Sequence, residues 1–403
     1  MTYLNFIRTN KRLAAFGPVL TFHSAFGQTF FISLFVPFFL TEFGLTNTTF
    51  GFIYSGATLT SALLMMLTGQ LIDRYDLKWY SSAVAVGLGL SALLMSVAFS
   101  VWILVPALVG LRLFGQGLTF HTAQSTMARY FDSLRGKALS ISGLGMPFGE
   151  AVLPSLFAFS IGMVGWRSSW FIIACAAFIL LLPALILLLR PLETHPARVV
   201  QQVTANDQND IIWKRRHVLR DVRFFFFLPA ILLTPFMLTG LFLFQLSLAE
   251  YKAWSVETIA AAFIAFASTK VIFSLWVGPA IDRYSAKKIF PWFLSPFLLG
   301  ILSLWLIDHP VAAFLYLGLL GVTEGFGGSV KTSLWAELYG IKTIGAIRSM
   351  LTTIMIISTA ISPLLFGWLL DAGYGFQFIL PSAVLLTLAV MALAFGVNKK
   401  PAR

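Results

Sequence analysis

The chain has 403 residues, of which 58% are hydrophobic and only 11% are charged. A soluble domain carries roughly a quarter charged residues, so this composition excludes a water-soluble globular protein. The single cysteine, Cys175, excludes a disulfide framework and a cysteine-based metal site. The net charge of +12 would indicate nucleic-acid binding in a soluble protein, but the position of the basic residues along this chain has a different meaning.

Twelve apolar segments are long enough to cross a bilayer as helices, which takes about 17–25 residues. They are residues 15–41, 48–72, 79–99, 101–127, 137–163, 168–190, 224–250, 257–281, 289–307, 310–336, 345–371 and 376–397. The pattern therefore predicts an all-α membrane protein with twelve transmembrane helices.

The basic residues alternate along the chain. Nearly all lie at the N-terminus, after even-numbered helices or in the C-terminal tail, whereas the opposite loops hold only Arg167 and Lys252. Because cytoplasmic loops are enriched in Lys and Arg, we expect both termini to be cytoplasmic in an inner or plasma membrane. We expect neither a cleavable signal peptide nor a nucleic-acid partner, because the basic charge signals topology.

Residues 191–223 form the one long polar stretch of the sequence. It predicts an N-terminal six-helix bundle over 1–190, a cytoplasmic linker over 191–223 and a C-terminal six-helix bundle over 224–403. The basic residues of the linker, such as Lys214 and Arg215, either lie on acidic lipid headgroups or only reinforce the topology.

The two halves carry the same loop motif, displaced by 209 residues. Its members are Gly69, Asp73, Arg74 and Lys78 in the first half and Gly278, Asp282, Arg283 and Lys287 in the second. The same displacement relates Tyr130 to Tyr339. Repeats in the same orientation predict two bundles related by a pseudo-two-fold axis along the membrane normal, which rock about a site between them.

This pair of loops resembles the major facilitator superfamily, whose loop reads roughly Gly-x-x-x-Asp-Arg-x-Gly-Arg-Lys. The resemblance covers essentially the whole chain, but Asp76 and Ser285 stand where the family prefers glycine. It implies that the eight motif residues form a conformational gate. Asp73 would approach the start of helix 11 and Asp282 the start of helix 5, where a helix dipole favours an acid, and so hold the outward-facing state. The alternative is that the loops only signal topology.

Several ionisable residues of the first half are predicted at mid-membrane, where a charge costs roughly 2.5–3.5 kcal/mol on insertion scales. Arg112, with Gln116 on the same predicted helix face, resembles the family's helix 4 arginine, which is linked to proton coupling; the alternative is a brace between helices. Glu150 is either a proton carrier or a permanent partner of Arg112 or Lys270. His23 on helix 1 either points into the cavity or is packed.

Glycines and a proline precede Glu150 in helix 5 and loosely resemble the family's antiporter motif. The expected Gly-Pro pair is absent, so we do not infer antiport. Gly143 and Pro147 fall on one stripe with Glu150, and small residues there predict close helix approach.

The second half places Lys270 on helix 8 and Glu324 and Lys331 on helix 10. Monocarboxylate and oxalate/formate carriers of this superfamily also have a cation on helix 8. The monocarboxylate branch, however, has an Asp and an Arg where this chain has Lys270 and Ser274, so the substrate does not transfer by resemblance. A lysine amine either binds an anion or loses its proton when buried; the alternative is a structural lysine. Glu324 and Lys331 share a helix face about 10 Å apart, too far to pair directly. We predict proton coupling for Glu324 and substrate binding for Lys331, and a packing role for His121.

Three buried cations against two carboxylates leave a positive surplus that favours an anionic or zwitterionic substrate. The sequence contains no G-x-x-x-x-G-K-[ST] phosphate loop, so the energy must come from a gradient. We predict a monomeric secondary transporter that moves a small organic solute by alternating access, coupled to protons, with no catalytic residue, metal or cofactor. The alternatives are a multidrug-type proton antiporter and a non-transporting receptor.

Overall fold

The computed structural model describes residues 3–131, 134–190, 215–340 and 344–398. All the regular secondary structure in these ranges is helical, which confirms the predicted all-α class. Most of the predicted linker, residues 191–214, lies outside the described residues.

Twenty α-helices are described. Those before the linker are α1 Tyr3–Thr9, α2 Lys11–Ser24, α3 Thr29–Ile32, α4 Val36–Phe43, α5 Asn47–Thr68, α6 Leu77–Ser96, α7 Val101–Gly110, α8 Phe120–Tyr130, α9 Arg135–Gly143, α10 Gly145–Ala176 and α11 Leu182–Leu189. Those after it are α12 Arg215–Val218, α13 Val222–Leu243, α14 Gln245–Tyr251, α15 Val256–Tyr284, α16 Ala286–Ile289, α17 Ser295–Leu306, α18 Val311–Tyr339, α19 Ile344–Asp371 and α20 Gly375–Asn398.

Ten helical stretches of the described residues are long and apolar enough to cross a membrane, and the bent pair Lys11–Gly27 and Thr29–Phe43 adds an eleventh. One of the ten, Arg135–Leu189, has 55 residues. A straight helix of that length would extend about 80 Å, whereas a bilayer core is about 30 Å thick. Gly165 interrupts it at φ 80°, a conformation open to glycine. Counted as two crossings, this stretch completes the predicted twelve.

The chain divides into two compact units. The first contains Met1–Leu45 and Gly56–Thr204, and the second contains Thr46–Ser55 and Ala205–Arg403. In the first unit, α2 packs against α8, α9 and α10, and α6 packs against α10. In the second, α15 packs along α18, α13 against α19, and α17 against α18 and α20.

Large apolar side chains are exposed on both units, as a lipid-facing surface requires. Trp102 is 87% exposed, and Trp79, Phe99, Trp276 and Leu385 are also exposed. A soluble protein rarely exposes so much contiguous apolar surface, because water would penalise it. The exposure is consistent with an integral membrane protein.

In the first unit, Arg167 is neutralised by an acid. Its guanidinium pairs with Glu42 at the end of α4, donates to the Ala98 carbonyl oxygen at 2.6 Å and stacks on Trp166. The Trp166 indole N–H also donates to Glu42, at 3.0 Å. These contacts join the ends of three helical segments.

Lys252 has the equivalent role in the second unit. Its Nζ is 2.5 Å from Asp308 Oδ1, and the Trp254 indole N–H donates to the Asp308 carbonyl oxygen at 2.6 Å. Lys252 and Arg167 are the two basic residues predicted opposite the cytoplasm. Because each is paired with an acid, neither adds uncompensated charge to that side of its unit.

The first turn of α5 is held by Asp371, the last residue of α19, within the second unit. The Asp371 carboxylate accepts from the backbone N–H groups of Asn47 (3.2 Å) and Thr48 (2.7 Å) and from both of their side chains. An acid from another helix thus satisfies N–H groups that a helix N-terminus leaves unpaired. Gly51 and Gly367 leave no room for a Cβ at this contact, because backbone atoms of the facing helix would lie within 3.0 Å.

The first predicted span is broken rather than continuous. A 3₁₀ turn covers Ala25–Gly27, Gln28 is extended with φ −82° and ψ 153°, and the two parts of the span meet at 49°. At the same point Leu111–Thr119 forms a π-helix between α7 and α8. Such bulges are rare and concentrate at functional sites. Gly27 lies against this π segment, and Gly115 against Gly27, with no space for a side chain at either position.

We expect Gly27→Ala to destabilise the protein by about 1–3 kcal/mol or more, as overpacking of a tight core does. The added Cβ would lie closer than 3.0 Å to the Leu111 carbonyl oxygen and the Gln116 amide nitrogen, which are backbone atoms that cannot rotate away. Thermal unfolding in detergent measures the effect.

The matched control is Gly56→Ala on α5, where a Cβ would have no atom within 4 Å. Alanine is favoured over glycine inside a helix by about 0.5–1 kcal/mol, so this variant should be neutral or slightly stabilised. Equal unfolding temperatures for both variants would contradict the close approach.

Candidate functional site

Arg112 lies against the break in the first span. Its side chain is 4% exposed, and its Nη1 donates to the Gly27 carbonyl oxygen at 3.3 Å and to Thr29 Oγ1 at 3.4 Å. Both acceptors flank the extended residue Gln28. The geometry therefore gives Arg112 a bracing contact, the interpretation that the sequence left open beside proton coupling.

Gln116 lies in the same π segment and is part-buried. The expected common face with Arg112 assumed α-helical spacing. A π-helix closes its hydrogen bonds from i to i+5, so the α-helical register does not apply here. The shared face of these two residues thus stays a prediction.

Glu150 is buried on α10, with 6% of its surface exposed. Its neighbour Gly149 lies against α2, where a Cβ would come within 3.0 Å of the Ala25 Cβ, and Gly145 makes a similar approach to Pro18. The close approach predicted for this helix is therefore made by Gly145 and Gly149, whereas Gly143 has no atom within 4 Å of a built Cβ. Glu150 and Arg112 are carried by segments that both contact the end of α2.

His23 lies on α2 among aromatic rings. Its Nδ1 is 2.8 Å from the Val19 carbonyl oxygen, and its ring packs edge-on against Phe22 and Phe26. A carbonyl oxygen can only accept, so Nδ1 carries a proton and Nε2 is the acceptor of the neutral ring. His23 therefore offers one acceptor to a hydrogen-bond donor.

Lys270 lies at a close contact between α15 and α18. Its Nζ is 5.2 Å from the centre of the Phe266 ring. A Cβ at Gly325 would lie within 3.0 Å of the Lys270 carbonyl oxygen, and a Cβ at Gly321 equally close to that of Phe266. Glu324 is part-buried between these two glycines in the sequence. The structure thus brings the helix segments that carry Lys270 and Glu324 together.

Lys331 points into the second unit. Its Nζ donates to Thr234 Oγ1 on α13 at 2.8 Å and lies 5.3 Å from the centre of the Phe293 ring. Thr234 was not identified from the sequence, because a threonine in an apolar helix has no signature of its own.

The helices that carry Lys331 and Thr234 are tied by Asp221, which precedes α13. The Asp221 carboxylate accepts from the Arg223 backbone N–H at 2.9 Å and from the Tyr339 hydroxyl at 3.2 Å. Burial would raise the pKa of Asp221, but hydrogen bonds from Arg223 and Tyr339 outweigh it and keep the pKa below its ordinary value. The carboxylate is thus charged at neutral pH.

The first loop motif is anchored by α8. Arg129 forms an ion pair with Asp73 and donates to the Ile72 carbonyl oxygen at 3.1 Å, and His121 Nε2 donates to the Gly69 carbonyl oxygen at 3.2 Å. These side chains border a cavity of about 350 Å³. Arg129 is therefore a partner of Asp73 inside the first unit. The approach of Asp73 to the start of the eleventh predicted span, residues 345–371, stays a prediction.

The second loop motif is anchored by an acid instead. Glu337 at the end of α18 accepts from the backbone N–H groups of Ala286 (2.6 Å) and Lys287 (3.0 Å), which open the short helix α16. Gly278 lies in α15, and the motif side chains exposed at the surface are Asp73, Arg74, Asp282 and Arg283. Comparison of the two repeats did not identify Arg129 and Glu337 as anchors, because neither has an equivalent residue 209 positions away.

The two departures from the family's loop have different backbone conformations. Asp76 has φ −57° and caps α6 by accepting from the Lys78 backbone N–H at 2.9 Å. Ser285 has φ 67° and ψ 147°, a region that glycine occupies readily and serine does not. The first loop thus has a negative φ at this position, and the second holds a serine at positive φ.

The fold is shared with solved transporters. A bacterial homologue of the human lysosomal transporter Spinster, in an inward-facing and occupied conformation, is 13% identical over the full length of both chains, with a TM-score of 0.68. The nucleoside transporter NupG is 13% identical with a TM-score of 0.72, over 96% of this chain and all of that one. A mutant form of NupG is 14% identical with a TM-score of 0.71, over 96% of this chain and 99% of that one. Likeness at such identity shows the fold alone.

A comparison with curated protein sequences gave no significant match. The Major Facilitator Superfamily, in contrast, matches residues 19–249 and again residues 236–403. These two matches extend over nearly the whole chain and both repeats. The chain therefore belongs to the Major Facilitator Superfamily.

Proposed function

We propose that this protein is a secondary transporter that moves a small anionic or zwitterionic organic solute by alternating access, coupled to protons. Family membership and the transporter folds support transport in general. The finer proposal depends on one observation: Glu150, Lys270 and Glu324 lie within membrane-spanning helices, at close helix contacts made by glycines.

Glu150 is proposed as the proton carrier of the first unit. A proton carrier must be shielded from water in one state of the cycle and exposed to it in another. With 6% of its surface exposed, Glu150 meets the first requirement.

Lys270 is proposed as the group that binds the anionic part of the solute. Its ammonium lies over an aromatic ring within a membrane-spanning helix, where a cation is costly and functional roles are common. A resemblance to monocarboxylate and oxalate/formate carriers supports the same role. Arg112, Gln116 and His23 are proposed as further polar contacts, and the two loop motifs as the conformational gate.

Two experiments separate this proposal from its alternatives. Purified protein in liposomes should take up ¹⁴C-lactate or ¹⁴C-oxalate, whereas a multidrug antiporter would instead extrude ethidium from cells. A receptor would move no solute with or without a pH gradient. A thermal-shift screen of solutes at two pH values then narrows the substrate, because a ligand that binds the folded state raises its apparent stability.

Glu150→Gln should abolish pH-driven accumulation of the transported probe while leaving exchange across the liposome membrane intact. A pH difference of one unit can drive about tenfold accumulation with one proton per solute, and a glutamine carries no proton. The ratio of internal to external probe measures this. Glu257→Gln, at the exposed start of α15, is the matched control; accumulation by Glu150→Gln equal to that of the control would remove Glu150 as carrier.

Lys270→Ala should weaken binding of the anionic probe by about tenfold or more, since hydrogen bonds to charged groups contribute about 1.5–3 kcal/mol. Binding is measured by the probe concentration that half-saturates uptake or thermal stabilisation. Lys288→Ala, at an exposed position of the short helix α16, controls for net charge. Unaltered affinity in Lys270→Ala would overturn the anion-site assignment.

A further inference from the structure

Lys331 has surroundings unlike those of a cation that faces a soluble anion. Its Nζ donates to the Thr234 hydroxyl, which is fully buried, and lies against the Phe293 ring, which is 2% exposed. Gly327 leaves the space that the end of this side chain occupies: a Cβ there would be 3.3 Å from Lys331 Cε and 3.4 Å from Nζ. The amine is thus fitted into the interior of the second unit.

Opposing forces act on the charge of this amine. Removal from water disfavours the ammonium form. The Phe293 ring face and a carboxylate such as that of Glu324, two turns away on α18, favour it. In contrast, α13 and the segment before α17 present a hydroxyl and a ring that do not titrate at physiological pH. The charge of this amine is therefore sensitive to a change in its surroundings.

The Thr234 hydroxyl fits both protonation states of Lys331. A hydroxyl accepts a hydrogen bond from an ammonium group and donates one to the lone pair of a neutral amine. The contact therefore survives loss of the proton, and no buried polar atom is left unsatisfied. A permanent carboxylate partner would accept only, and would bind the charged form alone.

We infer that Lys331 is a proton carrier of the second unit and that Thr234 is the residue that positions it. The inference rests on the proposed proton-coupled transport and replaces the substrate-binding role predicted for Lys331 from the sequence. In one half of the cycle the ammonium releases a proton to water and becomes a neutral amine that accepts from the Thr234 hydroxyl. In the other half it recovers a proton from water on the opposite side.

Lys331→Arg provides the test, because arginine keeps the positive charge and cannot be deprotonated in proteins. Wild type, Lys331→Arg and Lys331→Gln are reconstituted in liposomes, and accumulation and exchange of ¹⁴C-lactate and ¹⁴C-oxalate are measured with and without a pH gradient. Wild type should accumulate a probe by about tenfold per pH unit. Both variants should lose that response while exchange continues.

Two further variants apply if Lys331→Arg does not fold, as judged by its elution profile and thermal unfolding. Thr234→Val should move the pH of half-maximal accumulation down by about one unit, because the charge-assisted bond that the hydroxyl accepts from the ammonium is stronger than the bond that it donates to the neutral amine. Thr239→Val is the matched control, because its hydroxyl bonds only to the Pro235 carbonyl oxygen of its own helix at 2.7 Å and should leave the profile unchanged.

The outcomes separate this inference from the proposed function. If Lys331→Arg accumulates the probe to the wild-type level, a cation that cannot lose its proton is sufficient. That result would overturn the inference and leave the proposed function standing. Persistence in Lys331→Gln, or a Thr234→Val profile equal to that of Thr239→Val, would do the same. If wild type moves neither probe, or moves a probe without response to pH, the proposed function fails and the inference fails with it.

Discussion

Close approach of helix backbones at glycines is the constraint on which both units depend. In a bilayer no water drives apolar helices together, so association relies on packing, which small residues improve. Gly27 and Gly115 meet in the first unit, and Gly321 and Gly325 seat α18 on α15 in the second. Arg112, Glu150 and Glu324 lie within a few residues of such a glycine, and the backbone of Lys270 lies against Gly325 across the helix contact.

These close helix contacts also determine how charged side chains are accommodated in the membrane-spanning helices. Where backbones touch, carbonyl oxygens are close to neighbouring helices, and an arginine such as Arg112 can bond to them instead of to water. Elsewhere the charges are neutralised in pairs, as with Arg167 and Glu42 or Lys252 and Asp308. Lys331 follows neither pattern, since its hydrogen-bond partner is a hydroxyl.

Much of the fold could be predicted from the sequence. The thickness of the bilayer sets the length of the apolar segments, and the bias of basic residues toward the cytoplasm sets the alternation of the loops. What could not be predicted depends on contacts between helices. The break at Gln28 and the π-helix at Leu111–Thr119 exist together, because each accommodates the other through Gly27. Neither segment has a local signal strong enough to disclose it.

Only the residue types of the candidate site could be predicted from the sequence. The sequence identified Glu150, Lys270 and Lys331 as residues whose charge is costly within a membrane, because each lies in an apolar run. It could not identify their surroundings. Thr234 and Phe293 define the environment of Lys331, yet they lie 97 and 38 positions away in the chain. The sequence also did not identify Arg129 as the partner of Asp73. An arginine near a helix end is typical of a cytoplasmic loop and does not indicate a specific contact.

Ser285 makes the two loops unequal in a further respect. Residues other than glycine pay about 1–3 kcal/mol to hold such a positive-φ conformation, and the surrounding structure must supply it. The first loop carries no such cost, because Asp76 has φ −57°. A rearrangement that let Ser285 return to negative φ would release that free energy, whereas the same movement at Asp76 would release none. A movement made by both loops would therefore change the free energy of the second unit more than that of the first.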